Sequence, residues 1–311
     1  MSEEAVLCQH LAKTYGPVQA LRDLTLTVRA GTIFGLLGQN GAGKSTAFRI
    51  LATLGRPTSG SALVSGSSVT REPDRVRRQL GYLPQAIAFP RWLTGRDYLL
   101  FAGALSGVPK AELRTRAEAM LERVGLTQVA SRRIGGYSGG MRQRLGIAQA
   151  LVHRPAVVVL DEPVTGLDPL GRREVLGLIR ELRTEATVVL SSHVLDDIDQ
   201  VCDEVAILAC GSVVAQGSTG AIKARYARPV FHVEVAGDAH PLAARVGRQP
   251  WVAQVRLEGA RITVLASDLA RAERELPVIV AGSGVTLLRY ERALPSLEDV
   301  FARLVGAGAI E

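Results

Sequence analysis

The sequence predicts an α/β fold, because short apolar runs alternate along it with helical segments. Residues 32–37 form a nearly continuous apolar run, typical of a central strand, and residues 24–28 alternate apolar and polar side chains as a half-buried strand does. A glycine-rich turn and a helix over residues 46–54 follow. Two further apolar runs, residues 156–160 and 187–190, each come after a helical segment. This order is typical of a parallel sheet.

A helical subdomain over about residues 86–153 is expected to interrupt this core. Thr94 and Asp97 have the spacing of a capping box, Pro109 suits the first turn of a helix, and Gly125 suits a helix end. These signals predict a helical insertion within the α/β domain.

A composition break over residues 217–230, marked by glycines and Pro229, separates a smaller second domain. The expected domains are residues 1–228 and residues 229–311. The second is predicted to contain strand 230–235, helix 240–247, strand 251–257, strand 261–265, helix 267–275 and strand 284–290. This βαββαβ order predicts a small α+β domain of the ferredoxin-like type.

The composition is that of an ordinary globular chain with a basic balance. Of the 311 residues, 47% are hydrophobic and 22% are charged, and the formal net charge is +7. Such a charge suits nucleic acid, an anionic membrane surface or polyphosphate ligands, or simply a solvated arginine-rich surface. Because aromatic residues make up only 5% and no basic run is interleaved with them, no nucleic-acid partner is expected.

Cysteine usage and hydropathy predict a soluble or peripheral chain. Cys8, Cys202 and Cys210 are scattered without metal-ligand spacing, which suits a reducing cytoplasm. Residues 1–4 are acidic and lack the basic-then-apolar layout of a signal peptide. No stretch approaches the ~18 apolar residues that cross a bilayer. If the chain serves transport, another polypeptide must form the pore.

A phosphate-binding loop follows the apolar run at residues 32–37 and precedes a predicted helix. Its glycines let backbone N–H groups turn inward around phosphates, and the positive end of the helix faces the same anion. Lys44 is expected to reach the β- and γ-phosphates, and Ser45 to ligate Mg²⁺. The ATP-binding residues expected here are Gly38, Asn40, Gly41, Ala42, Gly43, Lys44, Ser45 and Thr46.

Two carboxylates, Asp161 and Glu162, follow the apolar run at residues 156–160. Ligands bind at the carboxyl ends of strands in open α/β sheets, so both side chains are expected at the nucleotide. Asp161 is expected to hold Mg²⁺ through water. Glu162 is expected to orient or deprotonate the attacking water.

A second anion cradle is predicted at Ser138-Gly139-Gly140, where a serine and two glycines open a helix. Alone, this short pattern suits an ordinary helix N-cap equally well. Two phosphate cradles in one chain could act on one ATP only if they come together, and an antiparallel dimer would achieve that.

Together these residues resemble the nucleotide-binding subunit of ABC transporters, and the resemblance covers about residues 4–225. The family pattern implies that Gln85, in Tyr82-Leu83-Pro84-Gln85, senses Mg²⁺ and the attacking water. It implies that Gly166-Leu167-Asp168 crosses the dimer interface and that Asp168 belongs to the ATP site. His193 resembles the switch histidine that contacts the γ-phosphate, and Tyr15 resembles the aromatic residue that stacks on adenine.

The chain departs from the family pattern at few positions. Tyr137 stands in place of the usual leucine, Met141 in place of glutamine, and Val164 where threonine is common. None of these changes removes a phosphate ligand or a catalytic group. With the Ser-Gly-Gly-Met variant, residues 294–301 are similar to the daunorubicin-resistance type of exporter ATPase. The apolar spacing of Leu297, Val300, Phe301 and Leu304 by itself predicts one packed helix face.

The resemblance implies an ATPase subunit with ATP and Mg²⁺ as its ligands, located at the cytoplasmic face of the cell membrane. Its implied partners are a multi-spanning membrane permease and a second ATPase chain, either another copy or a related one. The subfamily resemblance implies outward transport of a drug, a lipid or a similar compound. A polysaccharide precursor or an ion stays open as the substrate, because selectivity lies in the membrane partner.

Two other classes of function stay open at this point. A soluble ABC-type ATPase acting on DNA or ribosomes usually has two fused ATPase units or a long coiled coil, and this chain has one phosphate-binding loop and no sustained heptad. A metabolic kinase with a phosphate-binding loop would leave Ser138-Gly139-Gly140 and His193 without a role.

Overall fold

The computed structural model describes residues 3–226, 229–293 and 296–306. The chain folds as two compact units, Met1–Thr219 and Gly220–Glu311. Residues 1–2, the expected domain boundary at residue 228, and residues 294–295 of the C-terminal motif lie outside the described residues.

A ten-stranded sheet runs through the first unit in the order β5-β4-β1-β2-β10-β9-β3-β8-β7-β6. Strands β6, β7, β8, β3 and β9 are parallel, and β1, β2, β4 and β5 pair antiparallel. The strands are β1 Glu4–Tyr15, β2 Val18–Arg29, β3 Ile33–Gly38, β4 Ser59–Val64, β5 Ser67–Ser68, β6 Leu80–Leu83, β7 Val157–Leu160, β8 Thr187–Ser191, β9 Glu204–Ala209 and β10 Ser212–Ser218.

The α/β class with a parallel sheet is confirmed, but the sheet also has an antiparallel half that the sequence analysis did not predict. Strand β1 escaped prediction because its pairing with β2 shifts register between Cys8 and Leu11, and His10 adopts a positive φ of 48°. Such bulges interrupt the alternation of buried and exposed side chains that reveals a strand. Residues 24–28 are the second half of the twelve-residue β2.

The helical insertion is confirmed, and its helices lie between β6 and β7. The helices of the first unit, with α8 starting at its last residue, are α1 Lys44–Leu51, α2 Pro73–Gln79, α3 Gly95–Leu105, α4 Lys110–Arg123, α5 Gly139–Leu151, α6 Pro169–Leu182, α7 Leu195–Val201 and α8 Thr219–Tyr226. Thr94 caps α3 by accepting from the Asp97 amide, and Gly125 follows α4 with a positive φ. Pro109 is the N-cap of α4, one position before the first turn in which it was predicted.

Helix α1 differs from its prediction at both ends. It begins at Lys44, two residues early, because Gly43 adopts a left-handed conformation (φ 110°) that ends the loop there. It ends at Leu51, and Thr53, with φ 60°, breaks the helical geometry. The early start brings the first turn of α1 directly against the loop.

The second unit is a four-stranded antiparallel sheet in the order β12-β13-β11-β14 with helices between its strands, which confirms the ferredoxin-like prediction. Helix α10 is longer than predicted and continues through Pro277, because Leu276, Ile279 and Val280 are buried on one face. The elements are β11 Val230–Ala236, α9 His240–Gly247, β12 Val252–Glu258, β13 Arg261–Ala266, α10 Leu269–Ala281, β14 Thr286–Ala293 and α11 Leu297–Gly306.

Helix α11 carries the C-terminal motif as far as the structure describes it. Ser296 precedes the helix, and its hydroxyl oxygen accepts a hydrogen bond from the Asp299 amide at 3.1 Å. Leu297 and Val300 are buried, whereas Phe301 and Leu304 are half-buried. Across the described ranges, no helix is both long and apolar enough to span a bilayer.

Candidate functional site

The candidate site lies where β3, β7 and β8 end side by side at one edge of the sheet. A cavity of about 460 Å³ opens there, and it lies within the first unit. The phosphate-binding loop, Gln85, Glu162 and residues 18–20 of β2 line it. The parallel register of β3, β8 and β7 brings their carboxyl ends, distant in sequence, to this common edge.

Two glycines of the loop have backbones that only glycine adopts without strain. Gly41 has φ 84° and Gly43 has φ 110°. A Cβ atom on Gly43 would lie 2.6 Å from the carbonyl oxygen of Ala20 and 2.7 Å from a methyl carbon of Leu21. A Cβ atom on Gly38 would lie 2.7 Å from the carbonyl oxygen of Leu208. These three positions of the loop therefore have to be glycine, which leaves its N–H groups free to turn toward an anion.

The start of α1 carries no anion of its own. No side chain caps it, and its first turn contains no acidic residue. The first N–H groups of a helix have no partner within the helix and carry a partial positive charge. This helix end is therefore suited to an external phosphate.

Lys44 is a buried cation beside the loop. Its side chain donates hydrogen bonds to the carbonyl oxygens of Gly38 at 2.6 Å and Gln39 at 3.2 Å. Burial lowers the pKa of Lys44, and the carboxylates of Glu162 and Asp161 oppose that shift. A buried ammonium beside the phosphate-binding loop is suited to a strongly anionic ligand.

Asp161 is fixed by a serine of the neighbouring strand. The Ser191 hydroxyl donates to Asp161 Oδ1 at 2.7 Å, and the Ser191 oxygen accepts from the Glu162 amide at 2.9 Å. All three side chains are buried. One hydroxyl thus sets both the direction of the Asp161 carboxylate and the backbone of Glu162.

Glu162 adopts a strained backbone and holds a histidine. Its φ is +54°, in the left-handed region that costs a non-glycine residue of this size about 1–3 kcal/mol. Its Oε2 lies 2.7 Å from His193 Nδ1 and accepts from the Thr165 hydroxyl at 3.0 Å. No hydrogen bond from a described residue reaches Oε1. This arrangement holds one oxygen of the carboxylate and leaves the other available.

The Ser138-Gly139-Gly140 cradle lies at the exposed start of α5 and does not line the cavity. Ser138 is the N-cap, and its hydroxyl accepts from the Met141 amide at 3.2 Å. The Met141 sulfur in turn accepts from the Ser138 amide at 3.4 Å. Ser138 and Gly139 are exposed, and the first turn of α5 contains no acidic residue. The two cradles thus remain separate within one chain.

Tyr15 and Asp168 also do not line the cavity. Asp168 caps α6, and its Oδ1 accepts from the Gly171 amide at 2.7 Å. Tyr15 ends β1 with its side chain about half exposed and the Lys13 ammonium 4.8 Å from its ring centroid. Its register partner Val18 does line the cavity. Among the residues expected at ATP, the cavity brings together Asn40, Gly41, Gly43, Lys44, Ser45, Thr46, Gln85 and Glu162.

Three residues near the site received no role from the sequence. The Ser191 hydroxyl donates to Asp161, and the Thr165 hydroxyl donates to Glu162. Ser191 could have been proposed from the sequence, because it is the polar residue that ends the apolar run of β8. Gln143 is buried in α5 and donates to the Pro163 carbonyl at 2.6 Å. It joins the helix that carries the second cradle to the loop after Glu162. No local pattern distinguishes it from any other helical glutamine.

Comparison with known proteins agrees with this geometry. The ABC transporter family profile matches residues 21–165. The chain is 40% identical to "Uncharacterized ABC transporter ATP-binding protein YxlF" of Bacillus subtilis (strain 168), and the aligned region spans 96% of this chain and 99% of that protein. It is 36% identical to the daunorubicin/doxorubicin resistance ATP-binding protein DrrA of Streptomyces peucetius, over 97% of this chain and 92% of that protein.

A solved structure of the ATP-binding subunit of an ABC transporter has the same fold. It superposes with a TM-score of 0.66 at 30% sequence identity, over 71% of this chain and 93% of that one. The two sequence relatives, at 36% and 40% identity over nearly the whole chain, show the family as well as the fold. The chain therefore belongs to the ABC transporter family, as an ATP-binding subunit with the ATPase fold and homology to drug-resistance exporter ATPases.

Proposed function

We propose that this subunit hydrolyses ATP at sites shared between two chains, and that closure of the pair drives a separate membrane permease. The observation that carries the proposal is the separation of the two cradles. The phosphate-binding loop and Glu162 line one cavity, while Ser138 and Gly139 are exposed elsewhere on the same unit. An exposed anion cradle without a carboxylate of its own is suited to the ATP of a partner chain.

Within one chain, the loop backbone and Lys44 bind the β- and γ-phosphates. The start of α1 supplies N–H groups, and the buried ammonium supplies the charge. The cavity wall at residues 18–20 is then left for the nucleoside, with Tyr15 beside it as the stacking residue. Asp168 contributes from the loop that meets the partner chain. Binding of ATP brings the partner's cradle onto the same phosphates.

The residues around the loop also suit Mg²⁺. Ser45, Gln85 and Asp161 offer a hydroxyl, an amide oxygen and a carboxylate, the hard oxygen ligands that Mg²⁺ prefers. The described residues contain no group of three His, Cys, Asp or Glu side chains placed to hold a metal. A protein site of this kind depends on phosphate oxygens to complete the coordination. When bound, Mg²⁺ would neutralise charge that develops on the transferred phosphoryl group.

Glu162 acts as the base toward the attacking water, and His193 positions it. The histidine and Thr165 both contact Oε2, so Oε1 is free to accept a proton. By its resemblance to the switch histidine of the family, His193 also contacts the γ-phosphate of the bound ATP. A positioned general base of this type accelerates a reaction by about 10²–10⁴.

Homology supports a permease partner and outward transport. DrrA of Streptomyces peucetius is a resistance protein by name, and this chain matches it almost end to end. We therefore assign the subunit to the cytoplasmic face of the membrane, exporting a drug, a lipid or a similar compound. Helical segments near residues 86–110 would press on the permease. The second chain is another copy or a related ATPase.

Co-purification tests the assignment to transport. The chain would be tagged in its native cells, the membranes extracted in mild detergent, and the bound proteins identified. We expect to recover a multi-spanning membrane protein in a stoichiometric amount. The control is a tagged chain that lacks residues 86–110, and it should not recover this protein. Recovery of ribosomes or DNA-bound proteins without a membrane protein would overturn the transport assignment while leaving the ATPase chemistry intact.

A further inference from the structure

The residue before the second cradle, Tyr137, is a buried tyrosine whose hydroxyl is hydrogen-bonded. Its side chain is 4% exposed. The phenol hydroxyl donates to the Val129 carbonyl at 2.8 Å. Burial raises the pKa of the phenol. The proton of the hydroxyl thus goes to Val129, and its oxygen faces Gly95.

Gly95 is the first residue of α3, and its amide has no partner within the helix. A Cβ atom on Gly95 would overlap the Tyr137 hydroxyl and lie 3.2 Å from its ring carbon Cζ. Only glycine at this position leaves room for the phenol hydroxyl. A leucine at position 137 could not make the hydrogen bond to Val129.

Backbone hydrogen bonds join the same two segments of the helical insertion. The Gly135 amide donates to the Arg91 carbonyl at 3.0 Å, and the Ile134 amide donates to the Leu93 carbonyl at 2.9 Å. The Tyr137 hydroxyl packs directly against Gly95, further along the first of these segments. The segment that leads away from Gln85 is thus held to the segment that leads into Ser138 by backbone hydrogen bonds and by the packing of Tyr137.

The main chain of Tyr137 is fixed as well. Its amide donates to the Ile134 carbonyl at 3.0 Å, and its carbonyl accepts from the Arg142 guanidinium at 2.6 Å. Ser138 and Gly139, by contrast, are exposed, and Ser138 is held by its capping contacts with Met141 on one side and by the fixed backbone of Tyr137 on the other.

We propose that Tyr137 is a positioning residue, whose hydroxyl fixes the Ser138-Gly139-Gly140 cradle on the start of α3 and so holds it ready for the ATP of the partner chain. This rests on the proposed function, because only a cradle that serves a partner's ATP needs such positioning for turnover. The hydroxyl does not touch nucleotide. It acts through the backbone of Ser138, and its loss should slow turnover without weakening ATP binding at the phosphate-binding loop.

Tyr137→Phe in the full chain tests this, with Tyr98→Phe as the matched control. The Tyr98 hydroxyl donates to Gln149 Oε1 at 2.6 Å between α3 and α5, so the control also removes a half-buried tyrosine hydrogen bond from the same insertion. We expect Tyr137→Phe to lower kcat by roughly 3- to 10-fold, the loss of one hydrogen bond. The nucleotide affinity of the Tyr137→Phe monomer, measured at low protein concentration, should stay within about twofold of that of the unmodified chain. The control Tyr98→Phe should have the kcat of the unmodified chain and a Tm similar to that of Tyr137→Phe.

Gly95→Ala is a second test, and it changes the contact from the side of α3. Its methyl group would displace the hydroxyl of Tyr137, so the substitution should lower kcat more than Tyr137→Phe does. In the Tyr137→Phe background the methyl meets only the ring carbon at 3.2 Å. Gly95→Ala should therefore cost less kcat in that background, and the two effects should be non-additive.

Ser138→Arg separates failure of this inference from failure of the proposed function. If Ser138→Arg keeps normal turnover, the cradle does not serve ATP, and both are overturned. If Ser138→Arg abolishes turnover while Tyr137→Phe matches Tyr98→Phe in kcat, or the Gly95→Ala effects are additive, only the positioning role is overturned.

Discussion

His193 Nδ1 lies 2.7 Å from Glu162 Oε2, although the two residues belong to different strand ends. Glu162 is 4% exposed, whereas the His193 side chain is 55% exposed. The exposed imidazole therefore reaches inward to a buried carboxylate. This contact links the proposed base, which lines the cavity, to an exposed residue, and it leaves Glu162 Oε1 for the attacking water.

Glu162→Gln should slow hydrolysis by about 10²–10⁴ while ATP binding is retained, because the amide keeps the shape of the side chain and loses its basicity. ATP should then trap a closed dimer, detectable by gel filtration with MgATP. Glu204→Gln is a suitable control, since Glu204 is also buried but pairs with Arg29 away from the cavity. Normal turnover in Glu162→Gln would remove Glu162 from its role as base.

Ser191→Ala should lower kcat by roughly 10- to 100-fold, because one hydroxyl orients Asp161 and accepts from the Glu162 amide. The buried Glu162 amide would lose its partner, which costs about 1–3 kcal/mol of unfolding free energy. Chemical denaturation and steady-state kinetics would measure both. Ser67→Ala removes another buried hydroxyl, in β5, and should leave kcat unchanged. Equal kcat values for the two variants would contradict the role of Ser191.

Gly43→Ala should abolish high-affinity ATP binding, because the new methyl group would lie 2.6 Å from the Ala20 carbonyl on a backbone with φ 110°. Titration with a fluorescent ATP analogue would measure the loss. Gly177→Ala is the matched control within α6, where a Cβ atom meets no heavy atom within 4 Å. It should raise the unfolding free energy by about 0.5–1 kcal/mol at unchanged ATP affinity. Tight ATP binding by Gly43→Ala would contradict the loop geometry described here.

The sequence could predict those parts of the site that are built from consecutive residues. The loop at residues 38–46 is a local pattern flanked by a strand and a helix, and Asp161-Glu162 follow directly on a buried strand. The ferredoxin-like order was predictable for the same reason, since each element has its own periodicity. Helix α10 was predicted to end at residue 275, before Pro277. It continues to Ala281, because burial of its apolar face outweighs the backbone hydrogen bond that Pro277 cannot donate.

The parts that the sequence could not predict depend on tertiary contacts. Gln143 reaches Pro163 only because α5 packs beside the loop after β7, and Thr165 reaches Glu162 only because that loop turns back. Strand β1 was missed because a bulge breaks its alternation. The sharing of one ATP between the phosphate-binding loop of one chain and the Ser138-Gly139-Gly140 cradle of its partner remains a prediction.

Mixing two inactive variants tests the shared site most directly. Lys44→Ala disables one chain's phosphate-binding loop, and Ser138→Arg disables the other chain's cradle, so each variant alone should be inactive. In a mixed dimer, one site combines the intact loop with the intact cradle. The account predicts that turnover returns on mixing, up to about one quarter of the unmodified rate if chains exchange at random and sites act independently. A mixed dimer that forms and stays inactive would contradict the two-chain site.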